Sequence, residues 1–355
     1  MNSSQAAPPP LVSIVTPAYN EEKYLAECIE SVLSQTYSHW NYTIVNNCSK
    51  DRTLEIAREY AKRDPRIRVV DNTEFLDINA NQNEAVRQVS PEAKYCKFVF
   101  GDDWLYPTCL EEMVRFAEDH PSVGLVAVYG TDGRNVLWTG LNGRVNEVEP
   151  PWKDQRMTGR DAARVKLMGG PYVFGSMTSL LVRADLMRKR KTFFNEQHLH
   201  ADLEACYDVL RESDFGFVHQ ILSYHRAREN STGSWANDFD SIILGDFVTL
   251  LKYGPEFMNQ AEYRDRCEAV QREYYRVLAK NVLRARNQKF WDYHRATLAT
   301  FGVDVNRRLL MKSVIADVFS RIRHPGPALA GAWRWWSRLA ARLFTQKPTV
   351  RGIAS

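Results

Sequence analysis

The sequence predicts an α/β protein whose mostly parallel sheet is flanked by helices, with a helical extension after it. The first observation is that short apolar, β-branched runs alternate with segments of helical apolar spacing in the N-terminal part. Strands that alternate with helices of about 10–15 residues are typical of βαβ units and parallel sheets. The second observation is that only the helical spacing persists after residue 235.

The elements follow one another regularly at the start of the chain. A buried strand is predicted at residues 11–15, and the segment EEKYLAECIESVLSQ after it carries one apolar stripe at helical spacing. Further strands are predicted in WNYTIVNN, RIRVVDN and KFVFGDD. Further helices are predicted in DRTLEIAREYAKR and NQNEAVRQV.

The middle of the chain is less regular, and the pattern then becomes helical. Strands are predicted in VGLVAVYG, RNVLWTG, SMTSLLVR and FGFVHQILSYHR, and helices in GRDAARVKLM and ADLEACYDVLRES. We expect four regions along the chain: a disordered tail at 1–10, the α/β domain at 11–235, a helical extension at 236–323 and a basic tail at 324–355.

The charge is distributed unevenly along the chain. The formal net charge is +4, but residues 302–355 contain ten Lys/Arg and two Asp/Glu, which gives that span +8 and the remainder −4. Such asymmetry predicts an anionic partner for the C-terminal segment.

Cysteine usage and the start of the chain predict a cytoplasmic protein. The six cysteines are scattered without a CxxC pair, which favours free thiols in a reducing compartment. The N-terminal segment MNSSQAAPPP lacks the apolar core of a signal peptide. No apolar run approaches the roughly 20 residues of a membrane-spanning helix.

Polar residues follow each of the first four predicted strands, at 16–20, 46–49, 71–73 and 102–103. Ligands of parallel sheets bind beyond the carboxyl ends of the strands, so these residues are expected to share one rim. The adjacent carboxylates Asp102 and Asp103 suit a hard cation such as Mg²⁺ or Mn²⁺. Taken alone, they are equally well explained as a solvated turn that caps the next helix.

Three ordered motifs together carry a resemblance. The segment TPAYNEEKYLAECIESVLSQTY, the strand end VNNCSKDRT and the GDD about fifty residues later resemble the family 2 inverting glycosyltransferases, which have the GT-A fold. The resemblance covers residues 11–234 and is most specific in the first hundred of them. It implies a nucleotide-sugar donor and a hydroxyl acceptor.

The resemblance also implies roles for the rim. Asp103 would be the direct ligand of Mn²⁺ or Mg²⁺, and Asp102 would face the ribose or the metal. The metal would neutralise the leaving diphosphate. The residues expected against the base and ribose are Thr16, Pro17, Ala18 and Tyr19, with Glu21 facing the same pocket.

One residue departs from the family pattern. Members often carry Asp at the end of the second strand, where it accepts the N3–H of uracil, and this position corresponds to Asn47 here. An amide accepts such a proton and also donates one, so a UDP- or dTDP-sugar is favoured while the base stays open.

Acceptor-side residues follow from the same resemblance. The segment LHADLEACYDVL is similar to the ED-x-E/D motif, with Ala201 in place of Glu, so that Asp202 would be the catalytic base and Glu204 would lie near the acceptor. The alternative is an acid placed at a helix start by the macrodipole. In GGPYVFGSMTSLLVR, Gly175 and Ser176 are expected to line the acceptor side or to form a plain turn.

The segment SYHRARENSTGS resembles the family's YRxHxxS stretch. His225 would reach the metal or the diphosphate, and Arg226 or Arg228 would pair with phosphate oxygens. The alternative is that His225 is a surface or core-edge residue beside an arginine.

The C-terminal segment ALAGAWRWWSRLAARLF has its arginines at helical spacing opposite an apolar side with tryptophans. This is the pattern of a basic helix lying in a membrane surface, and the alternative is a helix docked on its own domain. No nucleic-acid recognition motif accompanies the charge.

The sequence therefore predicts a metal-dependent inverting glycosyltransferase on the cytoplasmic face of a membrane. Its acceptor would be a saccharide or lipid-linked saccharide in polysaccharide or glycolipid synthesis. The alternative is a nucleotide-sugar-binding or membrane-tethering protein without transferase activity. A nucleotidyltransferase is disfavoured because TPAYNEEKY lacks a Gly-rich basic loop, and no GxGxxG of a dehydrogenase follows the first strand.

Overall fold

The structure, a computed structural model, describes residues 8–137, 155–197, 200–227 and 238–323. Contacts divide the chain into two compact units, Met1–Cys267 and Glu268–Ser355. The predicted boundary after residue 235 stays a prediction. The predicted basic tail at 324–355, Arg228 and the first seven residues lie outside the described residues.

The first unit is built on a mixed sheet with parallel strands at its N-terminal side. These strands are β1 (Val12–Ala18), β2 (Trp40–Asn46), β3 (Ile67–Asp71) and β4 (Tyr95–Phe98). They lie in the order β3-β2-β1-β4, so β1 occupies the middle of this half. Both faces of β1 are buried, and its mostly apolar sequence fits a strand that is covered on both sides.

The second half of the sheet contains five further strands. They are β5 (Trp104–Leu105), β6 (Val123–Thr131), β7 (Gln155–Met157), β8 (Leu180–Arg183) and β9 (Asp214–Tyr224). The sheet continues from β4 as β8-β6-β9-β5, with β7 also paired to β9. The pairs β4–β8, β6–β8, β5–β9 and β7–β9 are antiparallel, whereas β6 and β9 are parallel.

Helices cover the sheet. They are α1 (Leu25–Leu33), α2 (Thr53–Arg63), α3 (Ile78–Arg87), α4 (Cys109–Asp119), α5 (Gly159–Leu167), α6 (Ala184–Arg188) and α7 (Ala201–Leu210). In α1 the residues Leu25, Cys28, Ile29 and Val32 are buried, which confirms the predicted stripe. The α/β architecture with helices on a mixed sheet is the one the sequence predicts.

The remaining helices are α8 (Ser241–Phe257), α9 (Gln260–Leu283), α10 (Gln288–Ala299) and α11 (Arg307–Arg323). Helix α8 belongs to the first unit, and α10 and α11 belong to the second. In the second unit Tyr274 and His294 are buried and their Oη and Nδ1 atoms lie 2.9 Å apart. In the described part of the chain, no helix has the length and apolar character needed to span a bilayer.

Candidate active site

Buried hydrogen bonds of Thr16 join β1 to β2 and to the end of β4. Thr16 is fully buried, and its hydroxyl lies 2.6 Å from the carbonyl oxygen of Val99 and 2.8 Å from the hydroxyl of Tyr42. The hydroxyl of Thr16 is therefore engaged in joining strands. Its predicted contact with a nucleotide stays a prediction.

The turn between β4 and the aspartate pair packs closely against Glu21. A Cβ atom on Gly101 would lie 2.9 Å from Cγ of Glu21, so a side chain there would push Glu21 away. Glu21 also donates its backbone N–H to the Thr53 hydroxyl at 2.7 Å. Glu21 therefore lies against the turn before the aspartate pair, and its predicted place in the nucleotide pocket stays a prediction.

Asp103 is held by three neighbours from distant segments. Its Oδ2 accepts a hydrogen bond from the Thr178 hydroxyl at 2.7 Å, and its Oδ1 accepts one from the backbone N–H of Arg226 at 3.2 Å. Nδ1 of His225 lies 3.2 Å from Oδ2 of Asp103. The structure thus brings together two of the three predicted metal ligands.

The other side of the imidazole is also fixed. Nε2 of His225 lies 2.9 Å from the Ser223 hydroxyl and 3.0 Å from the Ser179 hydroxyl. When Nε2 carries the proton, Nδ1 presents its lone pair toward Asp103, which is the arrangement of a metal-binding histidine. Ser176, predicted on the acceptor side, lies beside the same Nδ1 at 3.2 Å.

Arg226 spans the two aspartates and the first helix. Its Nε donates to the backbone oxygen of Asp102 at 3.1 Å, and its guanidinium pairs with Glu27 of α1. The guanidinium carbon lies 4.3 Å from the ring centroid of Tyr24 and 5.5 Å from that of Tyr224. Arg226 therefore lies at the aspartate rim, where a phosphate contact was predicted.

The donor set fits a divalent cation that is also held by a substrate. Among the described residues, no group of three or more His, Cys, Asp or Glu side chains could enclose a metal ion by itself. Mg²⁺ and Mn²⁺ commonly take one or two carboxylates and complete their shell with phosphate oxygens and water. Asp103 and His225 supply the protein ligands of such a pattern, and the predicted part of the Asp102 carboxylate in it stays a prediction.

The predicted base-reading residue is occupied by protein contacts. Asn47 is buried, donates from Nδ2 to the carbonyl of Leu76 at 2.8 Å and accepts the N–H of Leu76 at 2.9 Å. Its Oδ1 also accepts from Asn72 at 3.2 Å. A contact from this amide to a base would have to replace one of these bonds.

The other predicted nucleotide residues lie at the end of β1. The Ala18 carbonyl accepts the backbone N–H of Asn47 at 2.9 Å, and Pro17 is partly buried between its neighbours. Tyr19 is 40% exposed, and its ring meets that of Phe75 edge-on at 5.0 Å. These two aromatic rings form an exposed apolar edge beside the strand end.

Gly175 lets the chain turn into the 3₁₀ segment Met177–Ser179. Its φ of +69° is in the region that favours glycine. The Ser176 hydroxyl then accepts the Thr178 N–H at 3.2 Å, which caps the segment. The turn therefore directs the Thr178 hydroxyl toward Asp103.

Asp202 lies in the first turn of α7, where its Oδ1 accepts the Leu203 N–H at 2.7 Å. The pKa of Tyr172 is raised well above its usual value, first by burial and then by the charge of Asp202. Tyr172 is six residues before Thr178, so their Cα atoms lie at most about 20 Å apart. This segment connects the surroundings of Asp202 with those of Asp103.

Glu204 faces the interior instead. It is 2% exposed, and its Oε2 lies 2.9 Å from Nζ of Lys252 and 3.0 Å from Nδ2 of Asn195. These contacts favour a structural role for Glu204. Its predicted position near the acceptor stays a prediction.

Several residues that bond to this rim or support it from within the sheet were not predicted from sequence, namely Thr178, Ser179, Ser223 and Lys97. Ser223 lies near the end of β9 and His225 directly after it, and their spacing of two residues indicates side chains on the same side of the extended chain. The cysteines are free thiols, as predicted. Burial raises the pKa of Cys28, which contacts Thr16, to about 12, so its thiol is inert.

Comparisons with known proteins match this chain to one family. The family model described as Glycosyl transferase family 2 matches residues 13–185. The putative teichuronic acid biosynthesis glycosyltransferase TuaG of Bacillus subtilis (strain 168) is 36% identical over 107 residues, which are 30% of this chain and 42% of that protein. The chain spans from 31% to 69% of the length of three curated relatives that it matches.

Solved structures share the fold. S. aureus TarS 1–349 in complex with UDP-GlcNAc superposes with a TM-score of 0.61 at 18% identity, covering 84% of this chain and 82% of that one. The mannosyltransferase PcManGT from Pyrobaculum calidifontis, in complex with GDP-Man and Mn²⁺, gives 0.51 at 14% identity and covers 89% of both chains. The family match shows that residues 13–185 of this chain belong to glycosyltransferase family 2, and the solved structures share its GT-A fold.

Proposed function

We propose that the chain is a metal-dependent, inverting glycosyltransferase that moves a sugar from a nucleotide-diphosphate sugar to a hydroxyl acceptor. The observation that carries this proposal is the meeting of Asp103 and His225, 3.2 Å apart, at the carboxyl ends of the strands. A family 2 domain with an intact aspartate pair at this rim supports transfer over simple binding.

Asp103, Asp102 and His225 would hold Mn²⁺ or Mg²⁺ together with the donor. When bound, the ion supplies Lewis-acid neutralisation of the diphosphate charge. The protein's own part is orientation. The Thr178 hydroxyl and the Arg226 N–H fix both carboxylate oxygens of Asp103, so that they need not reorganise when the donor binds.

Asp202 is the proposed catalytic base. Inversion requires the acceptor hydroxyl to attack from the face opposite the diphosphate, and its proton must pass to a group on that face. Asp202 lies on a different element from the aspartate pair, at the start of α7. The Asp202 carboxylate would accept the hydroxyl proton as the bond to the anomeric carbon forms.

The donor is proposed to be a nucleotide-sugar, with UDP- or dTDP-sugars favoured. TarS binds UDP-GlcNAc and PcManGT binds GDP-Man, so proteins of this fold accept more than one base. Because Asn47 is hydrogen-bonded to Leu76, it does not select one base for the donor here. The exposed rings of Tyr19 and Phe75 offer an apolar edge for a base to pack on.

The acceptor is proposed to be a saccharide or lipid-linked saccharide at the cytoplasmic membrane surface. TuaG is named as a putative glycosyltransferase of teichuronic acid biosynthesis. Helix α11 also exposes an apolar stripe that consists of Met311, Ile315, Val318 and Phe319. The sequence after it carries the basic, Trp-rich tail, and both would favour peripheral membrane attachment.

The test is a donor panel with the full chain. UDP-, dTDP-, GDP- and CMP-sugars are incubated with Mn²⁺ and assayed for binding and for turnover by slow hydrolysis. We expect Asp202→Asn to abolish turnover while donor affinity changes less than about twofold, and Asp103→Asn to weaken Mn²⁺-dependent donor binding. Equal loss of donor binding in both variants contradicts this division of roles. Binding without turnover in the unmodified chain would instead support the non-enzymatic alternative.

A further inference from the structure

Lys97 is a charged residue in the middle of the sheet. It lies in β4 opposite Ile14 of β1 on one side and Leu181 of β8 on the other. Its exposure is 0%. Within the described part of the chain, the one oxygen that accepts from its Nζ is the Thr178 carbonyl, at 2.7 Å.

Stability does not explain a lysine at this position. An ammonium has three donors, and besides that oxygen the group meets the Met113 sulfur at 3.5 Å and the Cys109 thiol. Sulfur is a weak acceptor. Burial lowers the pKa of Lys97, which shows that desolvation opposes the charge. An apolar side chain of similar length would fill the space without that penalty.

The partner of Lys97 is the residue that holds Asp103. The Thr178 carbonyl accepts from Lys97, while the Thr178 hydroxyl donates to Oδ2 of Asp103 at 2.7 Å. The same hydroxyl accepts the Phe100 N–H at 3.2 Å, so its one proton is directed at the carboxylate. Thr178 is itself fully buried, and both ends of this residue are therefore fixed by β4 and the turn after it.

We propose that Lys97 is a positioning residue for the donor site, which acts by anchoring Thr178 so that the Thr178 hydroxyl orients Asp103. This inference rests on the proposed metal and nucleotide site. It assigns the lysine to function and not to stability. Removing the amine should therefore leave the fold intact or more stable while weakening ligand binding.

The experiment compares Lys97→Met with the unmodified chain. Binding of UDP and of GDP is titrated calorimetrically with Mn²⁺ present, and thermal unfolding is measured without ligand. We expect Lys97→Met to weaken Mn²⁺-dependent nucleotide binding about five- to tenfold, the loss of one orienting hydrogen bond, without lowering the unfolding temperature. Leu181→Val, in the neighbouring strand opposite Lys97, is the core control and should lower stability with unchanged affinity.

A double-mutant cycle tests the route through Thr178. Thr178→Val removes the hydroxyl, whereas Thr178→Ser keeps it and should retain binding. If Lys97 acts through Thr178, Lys97→Met adds little to the loss already caused by Thr178→Val. Additive losses overturn the route. If Lys97→Met is less stable but binds nucleotide normally, the proposed role of Lys97 is wrong. If the unmodified chain binds neither nucleotide with Mn²⁺, the proposed donor site is wrong as well.

Discussion

Nδ1 of His225 lies 3.2 Å from Oδ2 of Asp103, and the pairing of two strands puts them there. The two-residue strand β5 pairs antiparallel with the end of β9, with Trp104 opposite Tyr224. The rings of these two residues stack at 4.9 Å with 14° between their planes. Asp103 precedes one partner and His225 follows the other, so the register itself brings carboxylate and imidazole together.

Replacing His225 should weaken metal binding. His225→Asn removes the Nδ1 ligand while keeping a polar side chain, and we expect the affinity for Mn²⁺ with UDP to fall about tenfold or more. The measurement is a Mn²⁺ titration followed by electron paramagnetic resonance, with UDP held in excess. His39→Asn, an exposed histidine outside this rim, is the control. Unchanged Mn²⁺ affinity in His225→Asn would remove this residue from the proposed ligand set.

The rim was predictable because it depends on local patterns. Strand and helix periods place the ends of β1, β2 and β4 at one edge, and the aspartate pair follows the last of them. The register of β5 with β9 was not predictable, because a two-residue strand carries no periodic signal. The hydrogen bond from the Thr178 hydroxyl to Asp103 joins residues 75 positions apart, and no motif near Thr178 predicts it.

Two predicted site residues show that a sequence motif fixes the position of a residue but not the direction of its side chain. The positions of Thr16 and Glu204 follow from matching motifs, but a motif does not say which way a side chain points. The structure turns the Thr16 hydroxyl toward Val99 and the Glu204 carboxylate toward Lys252. The sequence does not predict a role for Lys97, because a single lysine only interrupts the apolar pattern of its strand. Nothing in that pattern indicates that its amine is buried and donates a hydrogen bond.

Asn83 should be important for stability. It is buried in α3, and its Oδ1 accepts the N–H groups of Phe193 and Phe194 at 3.0 and 2.8 Å. Asn83→Ala leaves both donors without this acceptor, so we expect the free energy of unfolding to fall by about 2–4 kcal/mol. Urea denaturation measures it. The half-buried Gln82→Ala on the same helix is the control, and an equal effect in both variants would argue against this role.

Glu262 predicts a pH-dependent contribution to stability. Its carboxylate forms a bidentate pair with Arg164 at 2.6 and 2.7 Å. The hydrogen bonds from Arg164 lower the pKa of Glu262 to about 2. Because the folded-state pKa lies below the usual 4.5, the contribution is present above pH 4.5 and disappears as the pH falls toward 2.

Glu262→Gln should therefore lower the unfolding temperature at pH 7, and the difference from the unmodified chain should shrink between pH 4.5 and pH 3. Thermal unfolding followed by circular dichroism at these three pH values measures it. Glu268→Gln, an exposed acid on the same helix, should show little difference at any of them. A difference for Glu262→Gln that grows in acid would have the wrong sign for a lowered pKa.

The apolar stripe of α11 should contribute to membrane binding. Leu310 and Val314 are partly buried on one side of the helix, whereas Ile315 and Phe319 are 51% and 59% exposed on the other. Burying such side chains in a lipid interface is worth about 1.5–3 kcal/mol each when complete. We expect Ile315→Ser and Phe319→Ser each to weaken binding to anionic phospholipid vesicles by about tenfold, measured by cosedimentation of the full chain.

The matched control is Ile242→Ser, which removes an apolar side chain that is 62% exposed on α8 of the first unit. This variant should bind vesicles as the unmodified chain does. A protein that ends at Arg323 separates the stripe from the basic tail, because it keeps α11 alone and should bind more weakly but still respond to Phe319→Ser. If the α11 variants instead change the oligomeric state in sedimentation and leave vesicle binding intact, the stripe contacts a second copy of the chain and not a membrane.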